Sequence, residues 1–297
     1  MISFDKSVRH VASVPKEAEI GPLTIALLLV GEQGLAGLGV HTFERAAATE
    51  IKSKLSGTEA KVTVKIETDP VSVLWGAVHR ATIHATSFQV DGLPLFVEPR
   101  RSRAGRCGLL VLDLNNFRLR GLQVESLFAK IPACRYDRGL ALSNKSFRLS
   151  RSGTGWGKVR VREEALETFV LKKFPDIKSI SIKIDRNVVW AEGYGEFLII
   201  KTPFSVVASL KAVDGTKLHL SDAKVWFDWR RADPLATDAL LKSLNPIVDF
   251  DADLGLLGSM RVESMTLADG VLEARGPVRI PDSPGGPNTE PKRQRLD

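Results

Sequence analysis

The sequence lacks the short motifs that identify several large enzyme classes. It contains no Gly-x-Ser-x-Gly segment, which excludes the nucleophile elbow of the α/β-hydrolases. Residues 152–158 (SGTGWGK) resemble a phosphate-binding loop, but Ser152 stands where a Walker loop needs glycine, and Val159 where it needs serine or threonine. We therefore interpret this segment as a turn-rich loop, and we predict no catalytic residue and no enzymatic activity.

Metal ligands are also few, with five histidines, two cysteines and no Cys-x-x-Cys pair. His79 and His84 are five residues apart on a predicted strand, so they point to opposite faces and cannot chelate one metal ion together. Asp249, Asp251 and Asp253 share one face if extended, but the segment lacks the turn glycine and downstream glutamate of an EF-hand loop. We interpret it as a solvated connection and expect no metal and no cofactor.

The apolar run at residues 22–31 (PLTIALLLVG) is too short to span a bilayer, which takes about 20 residues. Basic residues precede it and small residues follow it, as in the hydrophobic region of a signal peptide. However, Glu17 and Glu19 stand where a signal peptide carries positive charge. The alternatives are an export signal or anchor and a buried element of the fold. We expect residues 1–35 to form a leader with a signal or anchor segment.

Whether Cys107 and Cys134 are bonded to each other depends on whether the protein is exported. In an exported protein they could form one disulfide, whereas in the cytosol they would be two buried small hydrophobic residues. The sequence alone leaves both open.

Alternating apolar and polar residues from about residue 61 to residue 280 predict antiparallel sheet with one covered face. Asp-Gly pairs at residues 91–92, 214–215 and 269–270 predict hairpins between neighbouring strands. The predicted strands are 62–66, 81–85 running on to Gly92, 110–119, 180–184, 197–210, 217–229, 258–267 and 271–280.

Apolar residues three and four apart predict three helices. The first runs from Ala36 to near Gly57, the second covers about 162–174 before Pro175, and the third begins at Asp233-Pro234 and ends before Pro246. Their apolar faces supply our candidates for lining a lipid groove, with packing in a dry core as the alternative for each. These candidates are Phe43, Ile51, Leu166, Phe169, Val170, Leu240, Leu241 and Leu244.

The order of several segments resembles the LmeA-like family of bacterial phospholipid-binding proteins. The resemblance implies a fold like the tubular lipid-binding proteins, in which a strongly curved sheet wraps a long helix and leaves an apolar gutter. It also implies a cell-envelope location and no catalytic residues. The residues that carry it are Gly92-Leu93-Pro94-Leu95, Leu112-Asp113-Leu114 leading to Gly121-Leu122, the helix at 161–174 followed by 180–184, residues 245–249 (NPIVD), and a last hairpin ending in Ala274-Arg275-Gly276.

We therefore predict an α+β fold in which a strongly curved antiparallel β-sheet wraps a long helix, with two further short helices. Residues 36–280 would form a single lipid-binding-like domain, and the Pro/Gly-rich residues 281–297 a disordered tail. Each buried methylene contributes about 0.8 kcal/mol, so a groove that takes about eight to ten methylenes gains roughly 6–8 kcal/mol. We expect binding, extending to carriage, of a phospholipid or another acyl-chain lipid, on the periplasmic side of the envelope. A cytoplasmic location is the alternative.

Positive charge is concentrated in the middle of the chain. The net charge is +7, and residues 98–162 carry fifteen Lys and Arg against four Asp and Glu. This surplus favours an acidic partner. Aromatic residues in the basic stretch are spaced apart rather than arrayed for stacking on bases, so we expect an anionic membrane surface and no nucleic acid. A basic β-rich nucleic-acid-binding module is the alternative. The candidates for contacting headgroups are Arg100, Arg101, Arg103 and Arg106.

Overall fold

The structure is a computed structural model that describes residues 33–95, 97, 104–143, 148–197 and 200–281. The predictions for residues 1–32 of the leader, for the apolar run at 22–31, for Arg100, Arg101 and Arg103, and for the tail after residue 281 lie outside the described residues. Residues 33–35, which we assigned to the leader, belong to the first helix.

The three helices predicted from periodicity are confirmed, and the described residues contain two further short ones. The third predicted helix begins as expected, because Asp233 Oδ1 accepts a 2.8 Å hydrogen bond from Ala236 N and proline occupies the first helical turn. The helices are α1 (Gln33–Lys54), α2 (Pro70–Leu74), α3 (Arg138–Ser143), α4 (Glu163–Lys173) and α5 (Pro234–Leu244).

Strands make up most of the regular structure. They are β1 (Lys61–Glu67), β2 (Ala77–Thr86), β3 (Gln89–Val90), β4 (Gly105–Leu119), β5 (Leu122–Tyr136), β6 (Leu149–Arg151), β7 (Gly155–Arg162), β8 (Ile177–Asp185), β9 (Val188–Phe197), β10 (Ile200–Val213), β11 (Lys217–Phe227), β12 (Arg230–Arg231), β13 (Val248–Asp249), β14 (Ser264–Ala268) and β15 (Val271–Val278).

The strands form two sheets. The first has nine strands in the order β1-β2-β4-β5-β7-β15-β14, with β3 beside β4 and β6 beside β5; the second has six in the order β12-β11-β10-β9-β8, with β13 beside β11. The fold is β-rich and its antiparallel sheet curls into a half-barrel, which confirms the predicted curved sheet. Its pairing is not wholly antiparallel, since β2 and β4 run parallel.

Helix α1 packs against the edge strand β1, where Glu44 Oε1 accepts a 2.7 Å hydrogen bond from Ile66 N. The predicted wrapping of one sheet around a long helix is not confirmed and stays a prediction.

Two of the three predicted hairpins are confirmed. Asp214-Gly215 joins β10 to β11, and Asp269-Gly270 joins β14 to β15, with positive φ at all four residues as a tight hairpin turn requires. The hairpin at Asp91-Gly92 is wrong: these residues follow β3, which pairs with β4 in parallel, and a two-residue turn cannot join parallel strands.

The glycine-rich segment that we interpreted as a loop enters a strand at Gly155. Both glycines of β7 let neighbouring chains approach closely. A Cβ on Gly155 would lie 1.9 Å from the Lys130 carbonyl oxygen, and one on Gly157 would lie 2.6 Å from Val278 Cγ1. The predicted strand at 258–267 is also shorter than expected, beginning at Ser264.

Candidate functional site

A cavity of about 130 Å³ lies between α1 and the inner face of the first sheet. Its lining is almost wholly apolar. The residues that line it from the strands are Ile83, Ala85, Leu110, Leu112, Leu114, Leu127, Ala129, Ile131, Leu149, Gly157 and Val278, and the other apolar ones include Ala47, Ile51, Leu55, Phe88, Leu93, Pro94, Leu95, Leu256, Met260 and Ile280. An engineered cavity of about 150 Å³ with a similar lining stays dry and binds benzene. The cavity therefore has room for a short section of an acyl chain.

The floor of the cavity is built by the register of β4 and β5. Three successive cross-strand pairs all line it: Leu110 with Ile131, Leu112 with Ala129, and Leu114 with Leu127. Because side chains alternate between faces along a strand, this register places six apolar side chains on one surface. The parallel neighbour β2 extends the same surface, since Ile83 pairs with Leu112 and Ala85 with Leu114.

Two other segments close the cavity. Helix α1 contributes Ala47 and Ile51, which share one face at a spacing of four residues, and Leu55 follows directly after the end of the helix. The connection between β3 and β4 contributes residues 93–95 (LPL).

Charged groups are few at this cavity. Glu50 of α1 lines it and forms an ion pair with Arg148, which precedes β6; about a fifth of each side chain is exposed. Lys158 and Arg279 also line it, and Lys158 Nζ lies 3.8 Å from Glu273 Oε2. The arrangement is therefore an apolar chamber with ionic groups on part of its boundary.

A second, smaller cavity of about 60 Å³ lies between the second sheet and the helices α4 and α5. Its lining is wholly apolar and includes Leu166, Val170, Phe204 and Leu244.

A family model for LmeA-like phospholipid-binding proteins matches residues 34–276. The chain belongs to the LmeA-like phospholipid-binding family. No curated protein and no solved structure matches it significantly. The resemblance inferred from sequence is thus confirmed, and lipid binding is the activity that membership supports. Nearly all of the residues that line the larger cavity fall within the matched range.

The LmeA-like structure does not bring the eight predicted groove residues to one place. Ile51 lines the larger cavity, whereas Leu166, Val170 and Leu244 line the smaller one. The other four line neither of these two cavities: Phe169 and Leu240 are buried in the core, and Phe43 and Leu241 are half-buried. Of the four predicted headgroup residues, Arg106 is described and is exposed near the start of β4.

Sequence reasoning missed most residues of the larger cavity. The alternation of Leu110, Leu112 and Leu114 was visible, but it did not show what covers that face. Residues 93–95 were part of the LmeA-like resemblance but were not identified as site residues.

The residues examined as metal ligands all have protein partners. His79 Nε2 lies 2.6 Å from Asp69 Oδ2 and His84 Nδ1 lies 3.0 Å from Asp113 Oδ2, so each imidazole pairs with a different carboxylate. Asp253 Oδ2 accepts a 2.5 Å hydrogen bond from Lys173 Nζ. Among the described residues no group of three or more His, Cys, Asp and Glu side chains could hold a metal ion, and no described helix has the length and hydropathy needed to cross a membrane.

Proposed function

We propose that this protein binds a phospholipid, or another acyl-chain lipid, by enclosing part of an acyl chain in the larger cavity, and that it carries the lipid at the cell envelope without chemical change. The observation that supports this most is the floor formed by the three cross-strand pairs of β4 and β5, in a chain of the LmeA-like family. The lining offers almost nothing but hydrocarbon to a ligand, so it suits an acyl chain and no polar substrate.

The larger cavity is too small to hold a whole acyl chain. A full acyl chain, with about 0.8 kcal/mol from each buried methylene, needs more room than about 130 Å³. We infer that α1 moves away from the sheet as the lipid enters. The ion pair between Glu50 and Arg148 ties this helix to the first sheet and would open with it.

The ionic groups supply the polar end of the site. A phosphate leaving the membrane with its acyl chains needs a cationic partner. Arg148, Lys158 and Arg279 lie at or beside the chamber boundary, and we propose that the headgroup stays on this side. The periplasmic side of the envelope is the location that we propose, supported by the association of the family with cell-envelope lipid binding.

A cavity-filling variant tests the proposal. The full chain is incubated with phospholipid vesicles, repurified, and its bound lipid is measured by mass spectrometry of an organic extract. Ala129→Phe fills the floor of the larger cavity and should abolish lipid recovery. Ala191→Phe places the same side chain in the smaller cavity and is the matched control, which should retain lipid.

Thermal unfolding shows whether both variants fold, because overpacking typically costs about 1–3 kcal/mol. Wild-type protein without recoverable lipid, or a folded Ala129→Phe variant that retains it, would contradict the proposal.

A further inference from the structure

One end of the first sheet carries an exposed apolar tip. Val71 and Trp75, on and directly after α2, are 62% and 76% exposed. The turn is fixed by hydrogen bonds: Asp69 Oδ1 accepts from Ser72 N at 3.0 Å, and Trp75 N donates to the Ser72 carbonyl at 3.1 Å. These two large apolar side chains therefore face solvent instead of packing in the core, and the hydrogen-bonded turn determines where they lie.

A row of arginines lies across three strands at the same end. Arg106 of β4 is in register with Arg135 of β5, which is in register with Arg151 of β6. Residues in register point to the same face, and like charges directly opposite one another are destabilising. Within the described part of the chain no carboxylate pairs with any of the three. The described part of the fold thus holds three like charges in register with no carboxylate paired to them.

The tip and the arginine row are directly connected. Arg106 N donates a 2.8 Å hydrogen bond to the carbonyl of Gly76, the residue after Trp75, and the Tyr136 hydroxyl donates to the same oxygen at 3.2 Å. Gly76 has a φ of +66°, and a Cβ there would lie 2.6 Å from Arg138 Cδ. The glycine therefore allows the apolar turn to sit tightly against the cationic strands.

This end also adjoins the larger cavity. Leu149, which lines the cavity, is in register with Tyr136 and lies two residues before Arg151. Its neighbour Arg148 holds Glu50 of α1. A lipid that passes from a surface at this end into the chamber would have a short path.

We propose that this end, formed by Val71, Trp75 and the row Arg106, Arg135 and Arg151, docks the protein on the surface of an anionic phospholipid bilayer. This rests on the proposed lipid-binding function, for which it supplies the site of exchange. The indole of Trp75 lies at headgroup depth, as tryptophans do at membrane interfaces, and the three guanidinium groups bind lipid phosphates. Each arginine near an anionic surface strengthens binding by about fivefold, so the row contributes on the order of a hundredfold.

Vesicle co-sedimentation of the full chain tests the proposal, with vesicles of phosphatidylcholine alone and of an equal mixture with phosphatidylglycerol. The triple variant Arg106→Gln, Arg135→Gln, Arg151→Gln should bind the mixed vesicles on the order of a hundredfold more weakly and should lose most of the salt dependence. Trp75→Ala should weaken binding to both vesicle types severalfold. Trp229→Ala is the matched control: this tryptophan is 82% exposed but follows a strand of the second sheet, and its loss should leave binding unchanged.

Three outcomes would overturn the docking proposal: mixed-vesicle binding unchanged in the triple variant, Trp229→Ala weakening it as much as Trp75→Ala, or duplex DNA binding the wild type more tightly than the vesicles do. Misfolding is tested separately by thermal unfolding, where removal of the like-charge row should leave the midpoint unchanged or raise it. Lipid supplied in detergent micelles should load into the triple variant as into wild type, and Ala129→Phe should still dock. Failure of docking and failure of lipid binding therefore give different results.

Discussion

Cys107 lies directly opposite Cys134 in the antiparallel register of β4 and β5, and the two buried thiols are not bonded to each other. The sequence left open whether these residues form a disulfide or are two buried small hydrophobic residues, and the structure has two buried free thiols. Burial raises the pKa of Cys107 to about 11, and burial together with the neighbouring Cys107 raises that of Cys134 to about 12. The raised pKa values keep both thiols predominantly protonated near neutral pH, and the protonated thiol is not the reactive form.

We expect both cysteines to resist alkylation in the native protein at pH 8 and to react in full once it is unfolded in denaturant. Mass spectrometry of iodoacetamide-treated samples measures this directly. Native protein that is alkylated as fast as unfolded protein would show that the β4–β5 pair is open to solvent.

Glu163 joins the start of α4 to β8. Its carboxylate accepts hydrogen bonds of 2.7 Å from Lys183 Nζ and 2.9 Å from Ile184 N. Glu163→Ala should lower the free energy of unfolding by about 1–3 kcal/mol, because the buried Ile184 N–H loses its acceptor. Urea unfolding monitored by circular dichroism measures this, and Glu163→Gln, which keeps an acceptor oxygen, should lose less.

The same carboxylate gives stability a pH dependence. Burial raises its pKa, but the hydrogen bonds from Lys183 and Ile184, together with the charge of Lys183, outweigh burial and hold the pKa below its ordinary value of 4.5. A lowered folded-state pKa means that the contribution is complete above pH 4.5 and is lost as the pH falls through the folded value. Wild type should therefore lose more stability on acidification than Glu163→Gln; identical pH profiles would be inconsistent with the lowered pKa.

Phe169 is 6% exposed and lines neither cavity. Its replacement by alanine should cost about 3–5 kcal/mol of stability, because a cavity is left in the core. The rise in unfolding midpoint caused by added phospholipid should be unchanged, since that rise reports binding to the native state. A small stability loss with a diminished lipid effect would instead place Phe169 in the lipid path.

The ion pair between Glu50 and Arg148 should control how fast lipid enters. Glu50→Gln removes the ionic link between α1 and the first sheet and keeps the Arg148 cation for the headgroup, so we expect transfer of a fluorescent phospholipid between vesicles to become severalfold faster. The double variant Glu50→Arg, Arg148→Glu restores an ion pair in reversed order and should return the rate toward that of wild type. If the swapped pair transfers lipid as fast as Glu50→Gln, the ion pair does not act as a latch.

Features with local physical causes could be predicted from the sequence. Helix α5 depends on Asp233 and Pro234 at its own start, and the hairpin at Asp214-Gly215 depends on two adjacent residues that accept positive φ. Strand β5 had no predicted counterpart, because its alternation breaks at Ala133, which has a φ of +52°. Ile131 and Cys134 are both buried although they are three residues apart, and no period-two pattern survives such a break.

The candidate site needs long-range register and could not be read from the sequence. Leu110 and Ile131 meet only because β4 and β5 pair in one alignment, and a shift of one residue would turn one of them away from the cavity. The arginine row has the same origin. Arg106 was identified as a headgroup candidate from local charge alone, whereas Arg135 and Arg151 became its neighbours through strand pairing.

The parallel pairing of β2 with β4 determines which segment forms one wall of the larger cavity. Parallel neighbours oblige the chain to travel back along the sheet before the second strand begins. On this return, residues 93–95 form a wall of the cavity outside the described strands. Insertions, deletions and substitutions there would reshape the chamber and leave the strand registers intact. The shape of the chamber at this wall is therefore set by a connection rather than by strand pairing, so a substitution at Leu93 or Leu95 would change what the chamber can hold.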